Sequence, residues 1–247
     1  KLGTVNMWLP SSVMASIHDE FGVFDMPFII KDRNHMNKVE SQVLPGMFKN
    51  LEAKTGYKVI AVWENGFRHI TNNVRAIDKP DDLKGIKLRT PKSKWRVKMF
   101  QSYGANPTPM SFSEVFTALK TGTMDGQENP YAQIASAKFQ EVQKYLSITG
   151  HVYTPAYVAV HKDHWSKLPA DVRDILEQAA QDTQKFVYEE AARLEKSLLG
   201  VIESAGVQVN TADKGAFIAA SKGIYDQFAS EVSTGGALID KVSSLAN

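Results

Sequence analysis

The chain has 247 residues, 43% of them apolar, with 29 Lys and Arg against 27 Asp and Glu and no Cys. This is ordinary globular usage. It excludes disordered, collagen-like and disulfide-stapled chains, as well as thiolate chemistry and thiolate metal sites. A formal charge of +2 singles out no class of partner, no apolar run approaches bilayer length, and Lys1–Val5 lacks the charged-then-apolar layout of a signal peptide. The sequence therefore reads as a water-soluble chain without a leader.

In chain order, Lys58–Trp63 is a short β-branched run and predicts a strand, as do Ile86–Thr90 and Tyr157–His161. Between them, Ser93 is placed to cap a helix reaching Tyr103 and stopped by Gly104. Ser111 or Ser113 is placed to cap a second helix, stopped by Gly122. Asn129–Pro130 reads as a third start, with Asn at the cap and Pro at the first helical position. From Pro169 to Ala205 an apolar set that includes Val172, Ile175, Ala180, Phe186, Leu198 and Ile202 keeps three-to-four spacing, which predicts one long amphipathic helix. The alternation of strands and helices makes the class α/β. The polar stretches Thr71–Asp82 and Thr149–Pro155 are the expected crossings between two lobes, with the long helix touching both.

The basic run Lys84–Lys98 holds seven Lys or Arg, but the chain is nearly neutral and Asp78, Asp81 and Asp82 lie just upstream. This speaks for a solvated helix face and against a nucleic-acid partner. Arg89 differs, because it ends a predicted strand immediately before Thr-Pro and a capped helix, the position that faces a cleft at the carboxyl edge of a sheet. Its planar fork suits either an organic acid or a structural Asp or Glu, and the residues alone leave both readings open. His161, Asp163 and His164 have no further ligand pair nearby, so no metal is expected. There is no Gly-x-Ser-x-Gly, Walker or Gly-x-Gly-x-x-Gly loop, and no cofactor is expected. Asp125 and Glu128 are paired carboxylates of the kind that serve acid/base chemistry. The alternative reading is thus a hydrolase or lyase using them beside Arg89.

The run Asn106–Pro130 (NPTPMSFSEVFTALKTGTMDGQENP) resembles the signature of the extracytoplasmic solute receptors of TRAP transporters, the DctP-type family. Its flanks, Glu64–Asn73, Asp82–Pro91 and Phe139–His151, fit the same pattern in order and spacing. The resemblance implies a bilobed, type II-like periplasmic-binding fold with hinge strands and a long helix across both lobes. It divides the chain into residues 1–66 with 155–195 and residues 67–154 with 196–247. It also implies a non-enzymatic periplasmic receptor that captures a small organic acid anion and passes it to TRAP membrane subunits. By the same resemblance Arg89 is similar to the principal carboxylate-binding arginine, Arg68 to a second basic residue of the pocket, Asn129 to its side-chain amide and Phe112 to its aromatic. Lys92 and Trp95 fall where the family varies with its ligand. The start, Gly3–Met7, resembles the second half of the first lobe, which implies that the family's opening strand–helix–strand–helix is missing here.

Overall fold

The computed structural model describes residues 5–246, so Gly3 and Thr4 of the opening stretch lie outside the described residues. In chain order the strands are β1 (Met7–Trp8), β2 (Tyr57–Phe67), β3 (His69–Asn72), β4 (Lys87–Thr90), β5 (Asn106–Pro109), β6 (Gly126–Asn129), β7 (Tyr145–Ile148), β8 (Tyr153–His161) and β9 (Gln208–Thr211). Two sheets result. In one, β8 runs antiparallel between β1 and β2; in the other the order is β5-β4-β6-β3-β7-β9. There β4 is parallel to β5 and β6, β3 is antiparallel to β6 and β7, and β7 is parallel to β9.

The chain passes between the sheets three times; the first two crossings sit side by side, and the third is made by the long helix between β8 and β9. Arg68 alone separates β2 from β3, residues 149–152 separate β7 from β8, and Arg68 N donates to Val152 O at 2.9 Å. The return crossing lies within the expected stretch Thr149–Pro155, but the outward crossing is not at Thr71–Asp82. Thr71 and Asn72 belong to β3, and the Asn72 side chain accepts from the N–H groups of Val74 and Arg75 at 2.8 and 2.9 Å. Ile77 is fully buried. This polar stretch is therefore an Asx-type turn anchored on the six-stranded sheet, its Asn satisfying local backbone rather than marking a linker.

The long helix spans Ala170–Ser204, 35 residues, roughly 50 Å at the usual rise. Near its start the Ala180 carbonyl accepts from Trp63 Nε1 of β2 at 3.0 Å. Near its end Leu198, Leu199 and Ile202 pack into a core with Val115, Leu119 and Leu146 of the six-stranded half. It thus lies across both sheets. Ile175 and Phe186, counted in its apolar set, are exposed, because so long a rod touches the body along a narrow stripe only. The C-terminal helix Gly235–Ser244 returns to the first half of the chain. His35 Nδ1 accepts from Lys31 N, so its Nε2 carries the proton and donates to Val242 O at 2.8 Å.

The helices begin at the expected residues with one exception, although the Ser93 side chain makes no cap bond and donates to Asp25 instead. Ser93 precedes the helix Lys94–Ser102, and Ser111 precedes Phe112–Lys120, with the Glu114 carboxylate accepting from Ser111 N at 3.1 Å. Gly104 and Gly122 adopt the positive φ expected just past each end. Asn129 is the exception: it closes β6, Pro130 is the cap, and the helix is Tyr131–Ser136. That shift of one residue frees the Asn129 side chain from capping and turns it toward the crossings.

Candidate functional site

The carboxyl ends of β4 and β6, next to the outward crossing, gather three buried guanidinium groups and two buried carboxylates. Glu128, on β6, accepts from Arg68 Nε at 2.6 Å and Nη2 at 2.9 Å, and from Arg96 Nη1 at 2.7 Å. Arg96 reaches in from the first turn of the helix that follows β4, and its Nη2 bonds Asp25, which also accepts from Ser93 Oγ. The return crossing supplies His151, whose Nε2 lies 3.0 Å from Glu128 Oε2. A carboxylate only accepts, so Nε2 carries a proton; burial lowers the imidazole and keeps it neutral, so Nδ1 accepts from Thr149 Oγ1 at 2.7 Å. Asn129 Oδ1 takes a further bond from Arg68 Nη2 at 3.1 Å, while its Nδ2 donates to Gln127 Oε1 at 2.5 Å.

Arg89 sits beside this group in register with Gln127 of β6, and it is held differently. Its Nε and Nη2 both donate to one backbone carbonyl, Met110 O, at 3.0 and 2.6 Å. Among the described residues it has no ion-pair partner. One edge of the fork is therefore fixed by a neutral group, and the Nη1/Nη2 edge keeps the geometry that meets a carboxylate with two parallel bonds. Burial pushes the Arg89 guanidinium down to about 10, with Arg68 acting in the same direction and Glu128 opposing. It is charged at neutral pH. With Asp25 and Glu128 serving Arg68 and Arg96, one buried positive charge is left without a counter-ion. The Phe112 ring, 44% exposed, stands 6.0 Å from the Arg89 guanidinium carbon and packs on Phe139, giving an apolar wall beside the fork.

The structure thus brings Arg89, Arg68, Asn129 and Phe112 together, and it leaves Trp95 and Lys92 out. Trp95 is fully buried, edge-on to Phe228 at 5.0 Å with the Lys94 and Lys98 ammonium groups each 4.9 Å from its ring. An ideal Cβ on Gly22 would stand only 2.3 Å from its Cδ1, so this indole is a packing element against which glycine is required. Lys92 is exposed on the turn between β4 and its helix, away from the buried arginines. Sequence reasoning missed Asp25, Arg96 and His151. The signal for Asp25 was its place inside the apolar run Phe24–Met26, where an acid is kept only if paired.

A model of the family described as "Bacterial extracellular solute-binding protein, family 7" (DctP) matches residues 1–231. The chain belongs to this family. It is 36% identical over 247 residues to the 2,3-diketo-L-gulonate-binding periplasmic protein YiaO of Escherichia coli, covering 98% of this chain and 75% of that protein. Against the sialic acid-binding periplasmic protein SiaP of Vibrio cholerae it is 31% identical over 246 residues, covering 99% and 73%. Among solved structures, it is similar to a TRAP periplasmic solute-binding protein from a Polaromonas species bound to D-erythronate. There the TM-score is 0.92 and the identity 34%, covering 98% and 80% of the two chains. A second, from Sulfurospirillum deleyianum with bound succinate, gives 0.93 and 33%, covering 99% and 81%. The bilobed α/β fold and the receptor function are those of the family, whose members are binding proteins and not enzymes.

The geometry also speaks against an acid/base role for the two carboxylates. Against the upward push of burial, Arg68 and Arg96 hold the Glu128 carboxyl well below the usual range, the opposite of what a general acid needs. Asp125 is engaged elsewhere, accepting from Lys87 N at 2.8 Å at the other end of β6.

Two buried neutral imidazoles at the crossings shape the pH response, together with His18, which burial also lowers. Burial pushes His69 down to about 3, with His151, Lys214 and Arg68 adding to the effect. Burial likewise lowers His151, against the raising effect of Glu128. In the unfolded chain both protonate near pH 6.5. Between there and the depressed folded values the unfolded state binds more protons, so stability falls as pH drops, by up to about 1.4 kcal/mol per pH unit for each histidine. Glu128 adds the same sign lower down, its contribution being present above the unfolded carboxyl value and lost as pH falls below it. Differential scanning calorimetry should therefore show Tm level above pH 7 and declining from about pH 6.5, with His69→Phe removing part of the decline.

Proposed function

We propose that Arg89 holds the carboxylate of a small organic acid in the cleft between the lobes, with Arg68 and Asn129 behind it and Phe112 as the apolar wall. The lobes divide at Arg68, within residues 149–152 and along the long helix, close to the expected 66/67, 154/155 and 195/196. The chain works in the periplasm and hands its ligand to the membrane subunits of a TRAP-type transporter. The observation that carries this reading is the buried Arg89 fork, fixed by a neutral carbonyl and lacking a counter-ion. The relatives named above support the same class, as does a Haemophilus influenzae binding protein with bound L-gulonate. Hydroxy and keto acids, sugar acids, aromatic acids and C4-dicarboxylates form the panel to test. Lobe closure follows ligand only if the acid binds the closed state better, and each hydrogen bond to a charged group offers about 1.5–3 kcal/mol toward that difference.

A thermal-shift screen of this panel, each acid beside its methyl ester, tests the class. The matching acid should raise Tm by several degrees and be recovered unchanged, and its ester should do nothing. An ester as effective as its acid would rule out carboxylate recognition. Asn129→Asp gives a finer check. The new carboxylate stands beside Arg68 and supplies the counter-charge that the site lacks, so apo Tm should hold or rise slightly while affinity drops at least about tenfold. Isothermal titration calorimetry and a melting curve on the same sample separate the two effects.

A further inference from the structure

The crossings have a second face. Arg68 turns onto Glu128, whereas its neighbours Phe67 and His69 line a cavity of about 450 Å³ roofed by Glu195, Lys196 and Leu199 of the long helix. The return crossing divides in the same way: His151 bonds Glu128, and Gly150 faces the cavity. Lys31, Lys196 and Lys214 stand around this space, and its one carboxylate, Glu195, already pairs with Arg33 at 3.2 Å. The floor is a stack of His69 on Tyr131, with centroids 4.4 Å apart. His69 Nδ1 accepts from Gly150 N at 3.1 Å, which leaves Nε2 as the protonated, donating nitrogen. An ideal Cβ on Gly150 would lie 4.0 Å from both Lys214 Nζ and His69 Cε1. An ammonium group and an imidazole thus converge over a residue that has no side chain to fill the gap.

We propose that this hinge cavity is a second anion site, separate from Arg89, which takes a flat organic dicarboxylate with its apolar body on the His69–Tyr131 stack and its charges met by the lysines. The volume suits a small organic molecule rather than a single inorganic ion. Because the lining comes from both sheets and the long helix, an occupant also resists relative movement of the lobes. The inference does not rest on the Arg89 reading.

Phthalate (benzene-1,2-dicarboxylate) is a suitable probe, titrated into the full chain while histidine side-chain NMR signals are followed, with His69→Phe assigning the His69 ring. The His69 signal should move saturably, and Lys196→Ala/Lys214→Ala should weaken the dissociation constant by about tenfold or more. Both lysines are exposed, so the double variant keeps its fold. Arg89→Ala should leave the titration within about twofold of wild type. An unmoved His69 signal would overturn the proposal. So would a shift that survives the lysine substitutions and vanishes in Arg89→Ala, since phthalate would then occupy the cleft instead.

Discussion

Arg89→Ala should abolish measurable acid binding while the apo protein melts within a few degrees of wild type. The two halves of this expectation have different causes. A carboxylate drawn into a buried site and deprived of its guanidinium loses about 3–5 kcal/mol, roughly a hundred- to several-thousand-fold in affinity. The apo protein, by contrast, gives up a buried charge whose hydrogen bonds among the described residues go to Met110 O alone, so relief of desolvation offsets their loss. Arg89→Lys should fail to bind nearly as badly, because an ammonium neither chelates one carbonyl along one edge nor presents a second edge to the ligand. Calorimetric titration and melting curves on both variants check this. Near-native affinity in Arg89→Ala would remove Arg89 from the site.

Glu128→Gln should be the most damaging single change to stability. The carboxylate receives Arg68 through two nitrogens, Arg96 through a third and His151 through a fourth, all of them buried. A neutral amide leaves three guanidinium groups facing one another with only Asp25 to balance them, and breaking a buried pair in this way costs about 3–5 kcal/mol. For a chain of this size that corresponds to a drop in Tm of about 10 °C. Glu128→Gln combined with Arg96→Met should recover part of the loss, because one of the unpaired charges goes with it. A Glu128→Gln protein melting with the wild type would show that the network does not hold the crossings together.

Much of this arrangement was legible in the sequence where the signal is local. The helix that follows β4 announces its start at Ser93 and its stop at Gly104, and the Ser111–Glu114 capping pair fixes the next. Arg89 stood out because a strand end, a Thr-Pro and a capped helix follow one another around it. Long-range register is what remained hidden. Arg68 meets Glu128 because His69 pairs with Asn129 across β3 and β6, sixty residues apart in the chain, and nothing near Arg68 reports that pairing. The outward crossing was missed for a related reason: the chain stays extended through Phe67, Arg68 and His69 and changes sheet without a turn residue. Trp95 was readable and misread. Trp95, Arg96, Met99, Phe100 and Tyr103 recur at three-to-four spacing and are all buried, so periodicity alone placed the indole on the packed face of its helix.

The most direct test of carboxylate recognition is a crystal structure of the protein with the acid identified by mass spectrometry after release from the purified chain. The account predicts both carboxylate oxygens on the Nη1/Nη2 edge of Arg89 at about 2.7–2.9 Å, with the Phe112 ring against the ligand and the Arg68–Glu128 pair intact behind it. An acid seated with its carboxylate away from Arg89, or a bound molecule carrying no carboxylate, would contradict it.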